Sequence, residues 1–422
     1  MIILEAKLEG TQAQYDILDE MIRTGQFIQN KCLRHWEDNL GVTRNDLQKL
    51  CAELGNDPEF PWAGKLNSQA RQASADRTWQ AISRFYKNSR ETRLEKKGYP
   101  NYKKFSRSIE YKTTGWKLSD DRREITFKDG FNAGTFSLWT SRDLLWYSIK
   151  LLKRVRVVRR ADGYYVQFCV DVQRTEQRVY TGSVVGIDLG LKEFYTDSEG
   201  GAVENPRYFL KTEKRIKRTQ RRLSRRHKKG QKQSKRYHKA RKRLARLHLK
   251  VSRQRKDHAV KTARALVQSN DLVVYEALKV ANMVRNHKLA KSISDASWYQ
   301  FIQWLAYYAQ LHGVACVAVP PHFTTQDCST CGARVEKSLS TRTHKCLHCG
   351  TVLDRDHNAA INILMKGLMM ITEFLKNTVG HTGINAQGED DRWLIHGDME
   401  LLSQLVMKEL GIDVCLESRA VP

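Results

Sequence analysis

The chain has 422 residues, too many for one compact core, and this length predicts two or three domains. Hydrophobic residues make up 41% of it, which excludes a wholly disordered chain, and no apolar run is long enough to suggest a helical membrane span. There are 73 Lys and Arg against 46 Asp and Glu, so the formal net charge of +27 indicates a polyanionic partner.

The amino-terminal part begins with an apolar strand and then becomes helical. Residues 2–8 have a strand pattern, and helical spacing of apolar residues follows over 12–37 and about 68–93. From about 98 to 180 the apolar residues alternate in short runs, which indicates antiparallel strands. We interpret this part as a small β-barrel with an inserted helical unit. Basic and aromatic residues interleave on its strands, which suits a nucleic-acid surface but also suits any antiparallel sheet.

One segment supplies most of the net charge. Residues 211–256 contain 23 Lys and Arg but a single acid, Glu213. The sparse apolar residues keep helical spacing on both sides of a glycine-containing break, so we predict two basic helices rather than a disordered basic segment. Neutralising several phosphates would make binding steeply salt-dependent, and nucleic acid is the favoured partner. The basic residues expected to contact it are Arg221, Arg222, Arg225, Arg226, Lys239 and Arg243.

Two Cys-x-x-Cys pairs predict a metal site. Cys328 and Cys331 form the first pair, Cys346 and Cys349 the second, and a glycine follows each pair. Each turn brings two thiolates to one side, so two turns complete a tetrahedral sulfur site with Zn–S distances of about 2.3 Å. All four ligands come from protein, which predicts structural Zn²⁺; a redox pair is the alternative. The remaining cysteines are expected to be buried thiols: Cys32, Cys51, Cys169, Cys316 and Cys415.

Three acids have unusual sequence settings. Asp188 and Glu276 each end an apolar, strand-like run, and Asp356 opens a helix directly after the cysteine pairs. Each acid alone is explained more simply, as a turn residue, an ion-paired strand end and a helix N-cap. If the three converge, charges about 4 Å apart would repel by roughly 4 kcal/mol at an effective dielectric constant of 20. Two Mg²⁺ ions would remove that cost and could activate water for phosphodiester hydrolysis.

The last part of the chain is acidic. Residues 377–422 contain eight acids and three bases, so we expect them to avoid a phosphate backbone. We predict a flexible appendage with a helix near 398–410. The chain start, MIILEAKLEG, does not resemble a secretory signal peptide, and a cytoplasmic, nucleoid-associated protein is expected.

Five motifs follow one another between residues 183 and 365. They are GIDLGLKEF (186–194), VVYEALK (273–279), SISDASW (292–298), the two CxxC pairs and DRDHNAAINI (354–363). Their order and spacing resemble those of TnpB, the transposon-encoded family related to the type V CRISPR nucleases. The resemblance covers about residues 1–375 and leaves out the acidic segment.

The resemblance implies an RNA-guided DNA endonuclease that binds a guide RNA, reads a short motif beside its target and hydrolyses DNA phosphodiesters. Matched position by position, it implies Asp188, Glu276 and Asp356 as the acids that bind Mg²⁺, with Asp354 as the neighbour that is easily confused with them. Gln72 matches the element that reads the adjacent motif, and Gln can pair with an adenine edge, although a solvent-facing helix residue explains it equally well. The implied partners are guide RNA and target double-stranded DNA, with a monomer expected on one RNA.

The resemblance also implies an α/β multidomain fold. A RuvC-like RNase H fold nuclease core with an inserted zinc ribbon would be joined to a β-barrel wedge domain with an inserted helical recognition lobe. The implied boundaries are 1–10 and 98–181 for the wedge, 11–97 for the helical lobe, 182–321 and 354–376 for the nuclease core with its basic helices 206–268, and 322–353 for the zinc ribbon.

Three other interpretations remain open at the level of sequence. One is a miniature type V CRISPR effector on the same scaffold, which only neighbouring DNA would distinguish. Another is a non-cleaving, RNA-guided or transposon-associated DNA-binding protein, against which the three intact acids argue. The third is a generic zinc-ribbon RNA-binding protein, which leaves those acids without a role.

Overall fold

A computed structural model gives the fold of the chain as two compact units. They are the amino-terminal unit, Met1–Arg174, and the carboxy-terminal unit, Thr175–Pro422. The structure describes residues 1–90, 98–338, 341–378, 393–394 and 399–410.

The amino-terminal unit contains one seven-stranded antiparallel sheet. Its strands are β1 (Ile2–Glu9), β2 (Ser108–Tyr111), β3 (Trp116–Leu118), β4 (Glu124–Phe127), β5 (Gly134–Trp139), β6 (Leu152–Arg160) and β7 (Gly163–Val170). They pair in the order β2-β6-β7-β1-β5-β4-β3. The antiparallel strands predicted between 98 and 180 are therefore present, and the first strand of the chain lies at the centre of their sheet.

Helices are inserted between β1 and β2, as the sequence predicted. They are α1 (Gln12–Asp38), α2 (Arg44–Asn56), α3 (Pro61–Lys65) and α4 (Ser68–Arg90). A capping box of Thr11 and Gln14 starts α1, and the Gln14 amide also donates to the carbonyl of Thr135 at 2.9 Å, which ties the helix to β5. Gly25 allows α1 to approach β2, because an added Cβ would lie 2.3 Å from Ile109 Cδ1. Helices and sheet thus share one core.

The carboxy-terminal unit contains a mixed six-stranded sheet. Its strands are β8 (Val184–Leu189), β9 (Glu193–Asp197), β10 (Ala202–Glu204), β11 (Leu272–Glu276), β12 (Ala315–Val319) and β15 (Trp393–Leu394), in the order β10-β9-β8-β11-β12-β15. β8, β11 and β12 are parallel neighbours, and every residue in them is buried. Uninterrupted apolar strands of this kind indicate a sheet covered on both faces.

Helices cover both faces of this sheet. The helices of the unit are α5 (Tyr208–Ser224), α6 (Lys235–Ser269), α7 (Val280–Met283), α8 (Ala290–Ala296), α9 (Trp298–His312), α10 (Arg355–Thr378) and α11 (Met399–Glu409). α6 and α9 pack on one face, and α10 and α11 pack on the other. The close approach of α10 to β8 requires Gly186, because a Cβ there would lie 2.4 Å from the carbonyl oxygen of Ala360.

The short hairpin that contains the cysteine pairs precedes α10. Its strands are β13 (Thr343–Lys345) and β14 (Val352–Asp354), which pair antiparallel. The α/β class with an inserted cysteine hairpin is therefore as the sequence predicted.

Parts of the acidic segment 377–422 belong to this unit. Trp393–Leu394 pairs with β12, and Leu405 and Val406 of α11 are buried against α10 and the sheet. The helix predicted near 398–410 is present as α11. The sequence also predicted that the acidic segment is flexible. That prediction concerns residues that lie mostly outside the described part of the chain. In the described ranges, no helix combines the length and the hydropathy that crossing a bilayer requires.

Candidate active site

Asp188 is the last residue but one of β8, and Glu276 ends the neighbouring parallel strand β11. In the register of β8 and β11, Ile187 lies opposite Tyr275, so the two acids follow at the same edge of the sheet. Both are nearly inaccessible, with 9% of Asp188 and 7% of Glu276 exposed. The carboxyl end of a parallel sheet is a common position for functional side chains, and here the two acids come from segments far apart in sequence.

Asp356 reaches the same edge from α10. It lies in the first turn of that helix and is 8% exposed. The N-cap role falls to Asp354, whose Oδ1 accepts hydrogen bonds from the backbone nitrogen of Asp356 at 2.8 Å and from that of His357 at 3.3 Å. The simpler explanation of Asp356 as a helix cap therefore applies to its neighbour instead.

The three acids interact electrostatically. Burial, together with the nearby charges of Glu276, Asp356 and Asp354, raises the pKa of Asp188 to about 8, while the charge of Arg355 opposes the shift. Burial also raises the pKa of Glu276, against which a hydrogen bond from Thr324 and the charge of Lys366 act. Neighbouring carboxylates thus penalise ionisation of Asp188, as expected where carboxylates share a site.

Two arginines hold the Asp356 carboxylate. Arg355 donates to Oδ1 from Nε at 3.0 Å and from its terminal nitrogen at 2.9 Å, and Arg342 approaches Oδ2 at 3.3 Å. Within the described ranges, the four cysteines are the only His, Cys, Asp or Glu group of three or more whose ligand atoms all lie within 4.8 Å of one another. The three carboxylates therefore lie at one edge of the sheet and interact electrostatically, but their oxygen atoms do not form one tight cluster.

The four cysteines do form a metal-sized cluster. Cys328 Sγ lies 3.6 Å from Cys349 Sγ, and Cys331 Sγ lies 3.6 Å from Cys346 Sγ. A tetrahedron of sulfurs about 2.3 Å from zinc has edges of about 3.8 Å, so the spacing fits a Zn²⁺ ion. In each turn the nitrogen of the following glycine donates to the carbonyl of the first cysteine, and both glycines have positive φ. The residues fit a structural zinc, with protein filling all four positions.

Among the residues that the structure describes, the four cysteines form this cluster without any histidine or further cysteine. His344 is fully buried, and its Nδ1 contacts Lys337 Nζ. The buried free thiols predicted from the sequence are found at Cys32, Cys51, Cys169 and Cys316, while Cys415 lies outside the described residues.

The segment before the first cysteine pair connects the ribbon to both sides of the site. The Thr324 hydroxyl donates to Glu276 Oε1 at 2.5 Å. From α10, the Asn358 and Asn362 side-chain amides donate to the carbonyl of Asp327 at 2.9 Å and 2.7 Å. The roles of Thr324, Arg342 and both asparagines were not predicted from the sequence. The two asparagines lie inside the DRDHNAAINI motif, so their position in that motif could have indicated a role.

The predicted basic helices are present as an exposed hairpin. Ile216 of α5 packs on Leu247 and Val251 of α6, which leaves the charged faces outward. All six basic residues singled out from the sequence are exposed: Arg221, Arg222, Arg225, Arg226, Lys239 and Arg243. Asp295 in the SISDASW motif fixes the start of α5, because its carboxylate accepts from the nitrogens of Phe209 and Leu210 and pairs with Arg255. Gln72 lies in the other unit, partly exposed on α4.

Comparisons with known proteins match most of the chain. The family model described as Probable transposase matches residues 167–287, and the model described as Cas12f1-like, TNB domain matches residues 298–363. "Putative RNA-guided DNA endonuclease" of Streptomyces pristinaespiralis is 38% identical over 190 residues, 44% of this chain and 46% of that protein. "Putative RNA-guided DNA endonuclease InsQ" of Escherichia coli K12 is 26% identical over 364 residues, 81% of this chain and 86% of that protein. The match to the Streptomyces protein thus spans just under half of its length.

A solved structure, that of the mini-RNA-guided endonuclease CRISPR-Cas_phi3, superposes with a TM-score of 0.53 at 10% identity. It covers 87% of this chain and 92% of that one, and at this identity it supports likeness of fold alone. The family models and the relatives confirm the resemblance seen in the sequence motifs. In sequence, the chain is therefore similar to the TnpB proteins, as its motifs indicated.

Proposed function

We propose that the chain is an RNA-guided DNA endonuclease. It binds a guide RNA, recognises a short motif beside its DNA target and hydrolyses phosphodiester bonds with Mg²⁺ held by Asp188, Glu276 and Asp356. The observation that carries the proposal is the gathering of these three buried acids, from distant parts of the sequence, at one edge of a sheet. The names of the relatives favour the same activity.

The chemistry of the three acids fits Mg²⁺. Carboxylate oxygens are the ligands that this cation prefers, and bound Mg²⁺ would offset the repulsion between carboxylates that contributes to the raised pKa of Asp188. Bound Mg²⁺ would activate water and stabilise the leaving oxygen of the phosphodiester. The protein's own part is to supply the oxygens, to orient Asp356 through Arg355 and Arg342, and to keep the site largely dry.

The mixed sheet with helices on both faces supports a RuvC-like RNase H core over 182–321 and 354–376, with the zinc ribbon 322–353 inserted. The amino-terminal sheet supports the assignment of 1–10 and 98–181 to a wedge barrel, and α1–α4 support a recognition lobe over 11–97. In this proposal Gln72 reads the adjacent DNA motif, and the six exposed bases of the α5–α6 hairpin hold the nucleic-acid backbone.

A miniature CRISPR effector is the second candidate, favoured by the match of residues 298–363 to the Cas12f1-like model. The two candidates share the same chemistry. The DNA that flanks the gene separates them, because a repeat array marks the CRISPR case and transposon ends mark the other.

Replacing Asp188 tests the nuclease proposal directly. In Mg²⁺ and with the RNA that co-purifies with the protein, we expect Asp188→Ala to cut target DNA at least about a thousandfold more slowly than the parent. RNA and target binding, measured by filter retention, should be nearly unchanged, because the acid contributes to chemistry rather than to docking. Asp38→Ala, at an exposed acid of α1, is the control and should cut normally. Normal cutting by Asp188→Ala would refute the site.

A further inference from the structure

Thr324 lies between the sheet and the zinc ribbon. It is 2% exposed, and its hydroxyl donates to Glu276 Oε1 at 2.5 Å. The residues that follow it lead directly to Cys328, the first zinc ligand predicted from the sequence. One short segment therefore touches an acid of the candidate active site at one end and the metal site at the other.

Two asparagines fasten this segment to α10. Asn362 donates to the carbonyls of Thr324 at 2.8 Å and Asp327 at 2.7 Å. Asn358, which is fully buried, donates to the carbonyl of Asp327 and accepts from the nitrogen of Ser329 at 3.0 Å, inside the first cysteine turn. Because Asp356 lies in the first turn of the same helix, the segment is tied to two of the three acids.

We propose that Thr324 is a positioning residue for Glu276 and that the segment 324–329 couples the zinc site to the nuclease site. Zinc binding orders the first cysteine turn, the asparagines transmit that order along the segment, and the Thr324 hydroxyl fixes the Glu276 carboxylate for divalent-ion binding. The inference rests on the proposed function of the three acids. It adds that the zinc ribbon raises the affinity of those acids for Mg²⁺ or Mn²⁺.

The size of the effect follows from general metal-site chemistry. Groups that hydrogen-bond to a metal ligand fix its orientation, and their removal commonly weakens metal binding by about 10- to 100-fold. A threonine that only filled space would be replaced by valine without loss, since the two side chains have the same shape. Serine keeps the hydroxyl and loses one methyl group.

The first experiment measures Mn²⁺ binding to the full-length protein by electron paramagnetic resonance, without RNA or DNA. We expect Thr324→Val to bind Mn²⁺ about tenfold more weakly than the parent, and Thr324→Ser to restore most of the affinity. Thr372→Val makes the same chemical change on α10, outside this segment, where the hydroxyl donates only to the carbonyl of Leu368 at 2.9 Å, and this variant should bind as the parent does. Parent-like binding by Thr324→Val, or equal weakening by Thr324→Val and Thr324→Ser, would overturn the positioning role.

Asp188→Asn serves as the reference in that titration. If it binds Mn²⁺ as tightly as the parent, the proposed carboxylate site itself fails, and the inference fails with it. If Asp188→Asn weakens binding and Thr324→Val does not, the nuclease proposal stands and only the positioning role is lost.

The second experiment tests the coupling to zinc. We expect removal of zinc by a chelator to weaken Mn²⁺ binding by the parent about tenfold. In Thr324→Val, zinc removal should weaken Mn²⁺ binding by less than about twofold more, because the hydrogen bond that connects the segment to Glu276 is already absent. An equal effect of zinc removal in both proteins would overturn the coupling. If the zinc-free protein loses its fold, the variant Asn362→Leu replaces zinc removal as the test of coupling. This variant should retain stoichiometric zinc and bind Mn²⁺ as weakly as Thr324→Val does. Parent-like Mn²⁺ binding by Asn362→Leu would overturn the proposal.

Discussion

At the start of α10, Asp354 and Asp356 stand two positions apart and have different partners. The Asp354 carboxylate accepts hydrogen bonds from backbone nitrogens of the first turn, whereas the Asp356 carboxylate faces Arg355 and Arg342. A cap contributes to the stability of its helix, whereas the proposed function assigns the Asp356 carboxylate to Mg²⁺ binding.

These roles predict opposite consequences for two neighbouring substitutions. Asp354→Ala should lower the free energy of unfolding by about 1 kcal/mol and leave cutting measurable, because only a cap is lost. Asp356→Ala should abolish cutting. Denaturant unfolding and DNA cleavage measure the two effects, with Asp354→Asn as the control that retains a capping side chain. If Asp354→Ala abolished cutting while Asp356→Ala did not, the catalytic position would be reassigned.

The raised pKa of Asp188 predicts a pH-dependent affinity for divalent ions. With a pKa of about 8, the carboxyl group of the metal-free protein holds its proton at neutral pH, and that proton must leave before the oxygen can bind a cation. Mn²⁺ affinity should therefore rise from pH 6 to about pH 8 and then level off, with proton release that calorimetry in buffers of different ionisation enthalpy detects. Affinity that is flat over this range would contradict the prediction.

The same shift fixes the sign of a stability change. The folded-state pKa of Asp188 lies above the ordinary aspartate value of 3.8, so the folded protein holds the proton more tightly than the unfolded chain does. Without metal, stability should accordingly fall as pH rises from about 4 to about 8. Asp188→Asn should remove this contribution, and its unfolding free energy would then vary less with pH than that of the parent.

Among the elements, the α5–α6 hairpin combines a thin apolar seam with an extensive charged surface. Ile216, Leu247 and Val251 form the buried seam, and the sequence predicted both helices from the helical spacing of such residues. The anchoring of α5 by Asp295 could not be predicted, because it depends on a contact with a helix far along the chain.

Charge on this hairpin should determine the salt dependence of RNA binding. Replacing its six exposed bases together by glutamine should reduce the slope of log affinity against log salt by about four to five, if each contacts a phosphate. Exchanging Arg for Lys and Lys for Arg at the same six positions preserves charge and is the matched control. A slope that is unchanged by the glutamine substitutions would mean that the RNA lies elsewhere.

Over the whole molecule, the sequence predicted what local pattern and spacing determine. The apolar strands that carry Asp188 and Glu276, the two cysteine pairs and the helix that Asp356 opens were predicted, because each depends on residues close together in the chain. The contact of Arg342 with Asp356, and that of Thr324 with Glu276, form only when separate segments pack together. The pairing of Trp393–Leu394 with β12 was unpredictable for the same reason, since an acidic segment gives no sign that a sheet edge is free to receive it.

That pairing limits how far this protein can be shortened. A shortened form of the protein would be trimmed first at its acidic end, where no chemistry is expected. Cutting the chain after α10 would uncover the backbone of β12 and the apolar surface that Leu405 and Val406 cover. An unprotected strand edge can pair with strands of other chains, so the shortened protein would tend to aggregate. A charged residue or a proline introduced into β12 would oppose this pairing.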